Sequence, residues 1–209
     1  MLKLYFAPGS CALASLIALE ESGAAFETVR LNLGAGDQRR PEYLALNPKG
    51  RVPALATARG ILTETPAILA FIAQSFPQAG LAPLEDPFAF GQAQAFNSYL
   101  CSTVHVAHAH KMRGTRWVDA GDQAAIDAMR RKVPQTMADC FTLIEREMLA
   151  GPWVLGATYS ICDPYLYTIS GWLEGDGVDI ARFPKVAAHR GLMEARPAVQ
   201  RALATAGGQ

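Results

Sequence analysis

The sequence lacks an excess of charge of either sign, because its 209 residues include 19 lysines and arginines and 19 aspartates and glutamates. A balanced chain does not favour nucleic acid or an anionic membrane surface as a partner. It also lacks a long hydrophobic run. The uncharged stretch Leu4–Leu19 contains Pro8 and Gly9 and is shorter than the about 20 apolar residues of a membrane span. No basic segment precedes this stretch, so we expect neither a membrane helix nor a signal peptide.

Closely spaced cysteines are absent as well. The four cysteines, Cys11, Cys101, Cys140 and Cys162, lie far apart and form no CxxC motif. This spacing argues against a structural zinc site. We therefore expect reduced thiols in a cytoplasmic protein.

The first third of the chain has an alternating strand and helix pattern. Leu2–Phe6 and Phe26–Leu31 have the composition of strands. Between them Cys11–Ser22 has the spacing of a helix, and Gly23 supplies its C-terminal stop. A strand–helix–strand unit this short predicts a right-handed parallel crossover.

The segment Asn47–Thr65 combines several signals of a binding site. After the turn residues Asn47–Gly50, we expect a strand to start at Val52 and Pro53, followed by a hairpin and the return strand Ile61–Leu62. A helix should then begin with Thr65 as N-cap. The segment thus offers a free backbone edge before a proline, and an acid and a hydroxyl beside free N–H groups, which together suit a peptide-like ligand.

Strand signals stop after this module. Proline and glycine residues make 77–87 a linker, and the rest of the chain has helical periodicity. We expect long helices over Phe88–Met112 and Asp122–Ala150, with a kink or boundary at Pro134. Ser160–Asp163 has the form of a capping box ahead of a buried helix. The predicted fold class is therefore an α/β domain over 1–76 and an all-α helical-bundle domain over 88–209.

This order of elements, with a proline opening the third strand, resembles the glutathione S-transferase family. The motifs that carry the resemblance run the length of the chain: Tyr5–Cys11, Asn47–Leu55, Leu62–Thr65 followed by Ala67 and Ile68, and Ser160–Leu166. The Pro-Gly-Ser-Cys opening, together with His105 on the first long helix, is similar to the bacterial, cysteine-containing beta class.

The resemblance implies a thioredoxin-like βαβ-ββα domain that binds glutathione. Pro53 would be cis, and the Val52 backbone would pair with the cysteinyl part of glutathione as an added strand does. Glu64 and Thr65 would hold the γ-glutamyl ammonium and carboxylate, the latter at a helix N-terminus. Further contacts with glutathione are expected from Ser10, Ser98 and Thr103.

Two positions depart from the family pattern. Gly34–Gly36 stands where the beta class often has a lysine for the glycyl carboxylate, and either Arg39 or Arg40 could substitute for it. Ser98 stands where an asparagine is frequent.

Cys11 and His105 are the expected catalytic residues. Cys11 lies near a helix N-terminus, which favours a thiolate, and in the beta class the matching cysteine contacts the glutathione sulfur. The alternative is a cysteine that only packs under the helix. His105 could orient or deprotonate a thiol, although it could also be a core histidine. Tyr5 and Ser10 compete for the activating role; core packing suits Tyr5 better, and helix capping suits Ser10 better.

The helical domain should supply the second-substrate pocket, for which the candidates are Tyr5, His108, Met112 and Trp172. We expect no metal, because His110 points well round the helix from His108. The cluster Lys111, Arg113 and Arg116 is either a solvated helix end or an attractor for a carboxylate or phosphate.

Three functions stay open at this point. The first is a glutathione transferase that joins the glutathione thiol to a small electrophile. The second is a monothiol exchange enzyme that works through a Cys11–glutathione disulfide. The third is a non-catalytic binding module, against which the presence of Cys11, His105, Glu64 and Thr65 argues. The resemblance also implies a homodimer.

Overall fold

The first part of the chain is a four-stranded sheet flanked by helices. In the computed structural model, which describes residues 1–207, the strands follow the order β2-β1-β3-β4. β1 pairs with β2 in parallel, and the other two pairings are antiparallel. The elements are β1 (Leu2–Phe6), α1 (Ala12–Ser22), β2 (Phe26–Arg30), α2 (Pro41–Leu46), β3 (Ala54–Thr57), β4 (Gly60–Thr63) and α3 (Thr65–Ser75).

The predicted βαβ-ββα order is confirmed, and the differences lie at the ends of elements. Gly23 adopts a φ of 69° and ends α1 as expected. β3 begins only after Pro53, whose ring nitrogen cannot donate a hydrogen bond to a neighbouring strand. The N-cap of α3 is Glu64 rather than Thr65, so the capping assignment was one residue too late.

The second part is helical and begins after a 3-10 turn over Pro77–Ala79. The Asp86 carboxylate caps the first helix by accepting hydrogen bonds from the N–H groups of Phe88 and Ala89 at 2.9 and 3.1 Å. The predicted single helix over Phe88–Met112 is three pieces: α4 (Pro87–Tyr99), a π-helical segment (Leu100–Val104) and α5 (His105–Ala109). It ends three residues before the predicted boundary.

The remaining helices are α6 (Gln123–Leu143), α7 (Cys162–Ser170), α8 (Pro184–Glu194) and α9 (Pro197–Gly207). A second π-helical segment, Ile144–Met148, extends α6. No boundary occurs at Pro134, which lies inside α6. The hydrogen bond lost at the proline is offset because Val133, Met137 and Phe141 bury one face of the same helix.

The side chains of the predicted capping box do bond to the backbone at the start of α7, although the N-cap is Ile161 rather than Ser160. Asp163 Oδ2 accepts a hydrogen bond from Ser160 N at 2.7 Å, while Ser160 Oγ accepts one from Cys162 N at 3.2 Å. Asp163 Oδ1 also accepts hydrogen bonds from Val154 N at 2.8 Å and His189 Nε2 at 3.0 Å. One fully buried carboxylate therefore ties α7 to the preceding turn and to α8.

The two parts share one hydrophobic core. α1 packs against α3 of its own domain and also against α7 and α9 of the helical part. This packing fixes the start of α1 close to the helices that follow the linker. No helix within residues 1–207 is long and apolar enough to cross a bilayer. The predicted helical domain reached 209, and its last two residues, Gly208 and Gln209, lie outside the described residues.

Candidate active site

A cavity of about 300 Å³ lies where the sheet domain meets the helical domain. Six of the expected site residues are brought together here, although they come from segments that are distant in sequence. The lining residues are Cys11, Asn47, Arg51, Val52, Pro53, Glu64, Thr65, Cys101, His105, Val106, Ala109, Arg116, Trp117 and Tyr165.

The sheet domain supplies a backbone edge and a helix start. The Val52–Pro53 peptide bond is cis, as the resemblance implies. Glu64 adopts a φ of 76°, in the left-handed region that side-chain-bearing residues rarely occupy, and this places it at the start of α3. Thr65 is buried beside it and is the first residue of the helix. An acid and a hydroxyl therefore stand next to the free N–H groups of a helix N-terminus.

Glu64 already has a cationic partner. The Lys49 ammonium forms an ion pair with the Glu64 carboxylate and donates a hydrogen bond to Thr63 Oγ1 at 2.6 Å. The Glu64 side chain remains half exposed. The ammonium group of a ligand in the cavity can therefore also reach the Glu64 carboxylate.

Cys11 is buried, with 8% of its surface exposed, and its thiol donates a long hydrogen bond to Val52 O at 3.6 Å. Burial raises the pKa of the Cys11 thiol to about 11, and the nearby Thr65 hydroxyl opposes this rise only in part. The expected stabilisation of a thiolate by the helix N-terminus is therefore not found. In the protein without ligand, Cys11 is a neutral thiol at pH 7.

His105 faces the cavity from the helical side. Burial lowers the pKa of its imidazole to about 4, and the neighbouring His108, Arg116 and Arg51 lower it further. His105 is thus neutral near pH 7 and can accept a hydrogen bond or donate one.

The π-helical segment before His105 brings a second cysteine to the cavity. Cys101, His105 and Ala109 line the same wall at intervals of four residues. π-Helical turns are frequent at functional sites. Cys101 is half-buried, and burial raises the pKa of its thiol. Two thiols, those of Cys11 and Cys101, therefore line the cavity.

Tyr165 closes the cavity from α7. Its side chain is fully buried, and burial raises the pKa of its hydroxyl. Within the described residues, its Oη makes no hydrogen bond of normal geometry. This hydroxyl lies beside Cys101, and their interaction opposes the rise in the pKa of the Cys101 thiol. Tyr165 therefore belongs both to the hydrophobic core and to the lining of the cavity.

Several expected site residues do not line the cavity. Ser10 is used locally, since its Oγ donates to Ala7 O at 2.6 Å and accepts from Ala12 N at 3.3 Å. Tyr5 lies in β1, and its ring packs on Tyr43 at 5.8 Å. Three further candidates are exposed and lie outside the lining of the cavity: Ser98, Thr103 and Met112.

His108 and Trp172 lie behind His105. The His108 ring stacks on Trp172 with 4.2 Å between centroids, and its Nδ1 is 2.6 Å from Oδ2 of the buried Asp176. Trp172 also meets the His105 ring edge to face at 5.0 Å and donates from Nε1 to Gly9 O at 3.1 Å. Both residues therefore support His105 and the loop before Cys11, and neither lines the cavity.

The basic cluster that follows these histidines divides into two groups. The Lys111 ammonium lies 3.4 Å from Asp176 Oδ1 and donates a hydrogen bond to Gly175 O, so it is neutralised. Arg116, by contrast, lines the cavity together with Trp117. Within residues 1–207, no three histidine, cysteine or acidic side chains are arranged to hold a metal ion.

Some cavity residues were not predicted as site residues. Arg51 and Asn47 belong to the recognised motif Asn47–Leu55, and that motif could have indicated them. Cys101 could have been found from its spacing of four residues from His105. Trp117 follows a loop, and only the tertiary structure brings it to the cavity.

Comparison with known proteins agrees with this arrangement. The family model described as the glutathione S-transferase N-terminal domain matches residues 1–74. A glutathione S-transferase of Escherichia coli O157:H7 is 30% identical over 209 residues, covering 99% of both chains.

Two solved structures extend the similarity to the whole fold. A glutathione transferase homologue from Sulfitobacter with bound glutathione has 46% identity and a TM-score of 0.95, covering 98% of both chains. A bacterial beta class glutathione S-transferase of Sphingomonas chungbukensis has 32% identity and a TM-score of 0.85, again covering 98% of both. The chain has the glutathione S-transferase fold and belongs to the glutathione S-transferase family.

Proposed function

We propose that the protein binds glutathione in this cavity and joins its thiol to an electrophilic small molecule. One observation carries the proposal: Val52, the Glu64–Thr65 pair, Cys11 and His105 line a single space between the two domains. Residues 1–76 would hold glutathione, and the helical residues 88–209 would hold the second substrate.

Glutathione would lie along the backbone edge that precedes Pro53. Its cysteinyl amide group would pair with the Val52 backbone, in place of the long bond from Cys11. Its γ-glutamyl ammonium would share the Glu64 carboxylate with Lys49, and the adjacent carboxylate would meet Thr65 and the α3 N-terminus.

The glutathione sulfur would then lie near Cys11 and His105. Because Cys11 keeps its proton, its S–H can donate a hydrogen bond to the glutathione thiolate, and this lowers the pKa of the bound thiol. The cationic Arg51 and Arg116 on the same cavity favour the thiolate as well. The thiolate attacks the electrophile, a C–S bond forms, and the leaving group departs with the bonding electron pair.

The finer assignments are part of the same proposal. Two observations support a beta-class-like transferase. One is the motif around Cys11, and the other is the 32% identity of the whole chain to the Sphingomonas chungbukensis beta class enzyme. Free cysteines support a reducing, cytoplasmic setting. The family resemblance supports a homodimer.

The test combines binding with two reactions. Calorimetric titration should show glutathione binding at millimolar concentration or tighter, and a chlorodinitrobenzene-type electrophile should be conjugated. Failure to bind glutathione would refute the proposal. The comparison reaction is the reduction of a glutathionylated disulfide. If that reaction were faster than conjugation and were lost in Cys11→Ala, thiol–disulfide exchange would replace conjugation as the function.

A further inference from the structure

The second-substrate side of the cavity has an apolar wall and a cationic one. Val106 and Ala109 of α5 form the apolar wall together with Trp117, whose ring is 44% exposed. Arg51 and Arg116 line the same space from the two domains. A neutral electrophile would make use of the first wall only.

The two arginines have no carboxylate partner in the part of the chain that the structure describes. Within residues 1–207, neither Arg51 nor Arg116 forms an ion pair, whereas Lys111 pairs with Asp176 and Glu64 pairs with Lys49. The neighbouring arginines Arg39 and Arg113 add to the same field, since they and Arg51 lower the pKa of the Arg116 guanidinium beyond the effect of its partial burial. Uncompensated like charges that converge on a cavity favour an anionic ligand.

The carboxylates of glutathione can neutralise only part of the positive charge at the cavity. Its γ-glutamyl carboxylate is assigned to Thr65 and the α3 N-terminus, which leaves the glycyl carboxylate for one arginine. Arg51 is the candidate for binding the glycyl carboxylate, because it is adjacent to Val52, along which glutathione would lie. Arg40 is already engaged with Asp37 at 2.9 Å. Arg116 therefore remains for a carboxylate that glutathione does not carry.

Building on the proposed function, we propose that the second substrate is an aromatic or similarly flat apolar electrophile bearing a carboxylate, which Arg116 binds. The apolar body packs on Val106, Ala109 and Trp117, and the guanidinium fork of Arg116 takes the two carboxylate oxygens. Arginine suits this role because its planar donors match a carboxylate in a bidentate manner.

The decisive pair of substrates is 4-chloro-3,5-dinitrobenzoate and its methyl ester, which differ at one end only, in the charge and in one methyl group. Each enzymatic kcat/KM is divided by the uncatalysed rate constant with glutathione, so that the intrinsic reactivity cancels. We expect the acid to be preferred by about tenfold, as one charge-assisted hydrogen-bonded pair provides. Arg116→Gln should abolish the preference, Arg116→Lys should restore part of it, and the exposed Arg131→Gln on α6 should leave it unchanged.

A binding measurement separates this inference from the proposed function. The two preformed glutathione conjugates of these substrates share the whole glutathionyl part, so their affinities differ only through the charge and the methyl group at that end. The inference is supported if wild type binds the acid conjugate more tightly than the ester conjugate and Arg116→Gln loses this difference. This holds even if neither substrate is turned over, in which case only the proposed transferase activity fails. Turnover of both substrates at equal normalised rates, with equal conjugate affinities, overturns the inference and leaves the proposed function standing.

One further outcome also overturns it. If Arg116→Gln weakens both conjugates and glutathione itself by the same factor, Arg116 holds the glycyl carboxylate instead.

Discussion

Cys11 should be unusually slow to alkylate in the protein without glutathione. Two effects oppose each other at this thiol: the N-terminus of α1 favours a thiolate, by about 0.3–2 kcal/mol in typical cases, while burial favours the neutral thiol. Burial dominates, because only 8% of the Cys11 surface is exposed and its pKa rises to about 11. The site therefore stores a protonated sulfur.

The size of the effect follows from the thiolate fraction. At pH 7.5 an exposed cysteine with a pKa of about 8.5 is about 10% thiolate. With a pKa of about 11, Cys11 is about 0.03% thiolate at the same pH, which is about 300-fold less. Because a thiolate of higher pKa is roughly tenfold more nucleophilic, alkylation should be about 30-fold slower. Because the reagent must also reach a buried sulfur, this factor is a lower bound.

The assay is a time course with iodoacetamide between pH 6 and pH 10, followed by mass spectrometry of the separate cysteine peptides. Glutathione in a separate solution without protein serves as the exposed reference thiol, and the Cys101→Ser variant removes the neighbouring thiol. The Cys11 rate should keep rising up to pH 10. A plateau below pH 8, with a rate close to that of free glutathione, would refute the argument that burial outweighs the helix N-terminus.

Three further predictions concern the surroundings of this thiol. His105, with a pKa of about 4, should stay neutral between pH 5.5 and 8, and a pKa above 6 in nitrogen-correlated NMR spectra would contradict this. Glu64→Gln should weaken glutathione binding about tenfold in calorimetry, through loss of the charged acceptor for the γ-glutamyl ammonium, whereas Glu27→Gln on the sheet should not. Asp163→Ala should lower the free energy of unfolding by about 3–5 kcal/mol in urea titrations, because it leaves the buried N–H groups of Val154 and Ser160 and the His189 ring without an acceptor. An unchanged urea midpoint would show that these groups find other partners.

The sheet domain could be predicted from the sequence because its signals are local. Gly23, Pro53 and the Thr63–Pro66 turn each impose a backbone geometry that neighbouring residues confirm. Periodicity likewise located the long helices. It could not show that α6 continues through Pro134, since that depends on how much apolar surface the flanking residues bury.

The site was predicted only in part, because some of its properties depend on contacts between residues that are distant in sequence. Cys11, Val52, Glu64, Thr65 and His105 are marked by motifs, and they do line the cavity. The protonation state of Cys11 was not predictable, because it depends on burial by residues far away in sequence. The same holds for the hydrogen bond from Trp172 to Gly9, which joins residues 163 positions apart.

The π-helical segment Leu100–Val104 determines the rotational phase of the helix that follows it. An α-helix turns by about 100° per residue, and a π-turn accommodates one additional residue without moving the earlier turns. The buried side of α4, with Ala93 and Phe96, and the cavity side of α5, with His105 and Ala109, are therefore offset by one residue relative to a continuous helix. If the same residues formed a continuous α-helix, His105 would be turned by about one residue step, or 100°, away from the cavity. The cavity wall of Cys101, His105 and Ala109 thus depends on the π-helical geometry of this segment as much as on the identities of its residues.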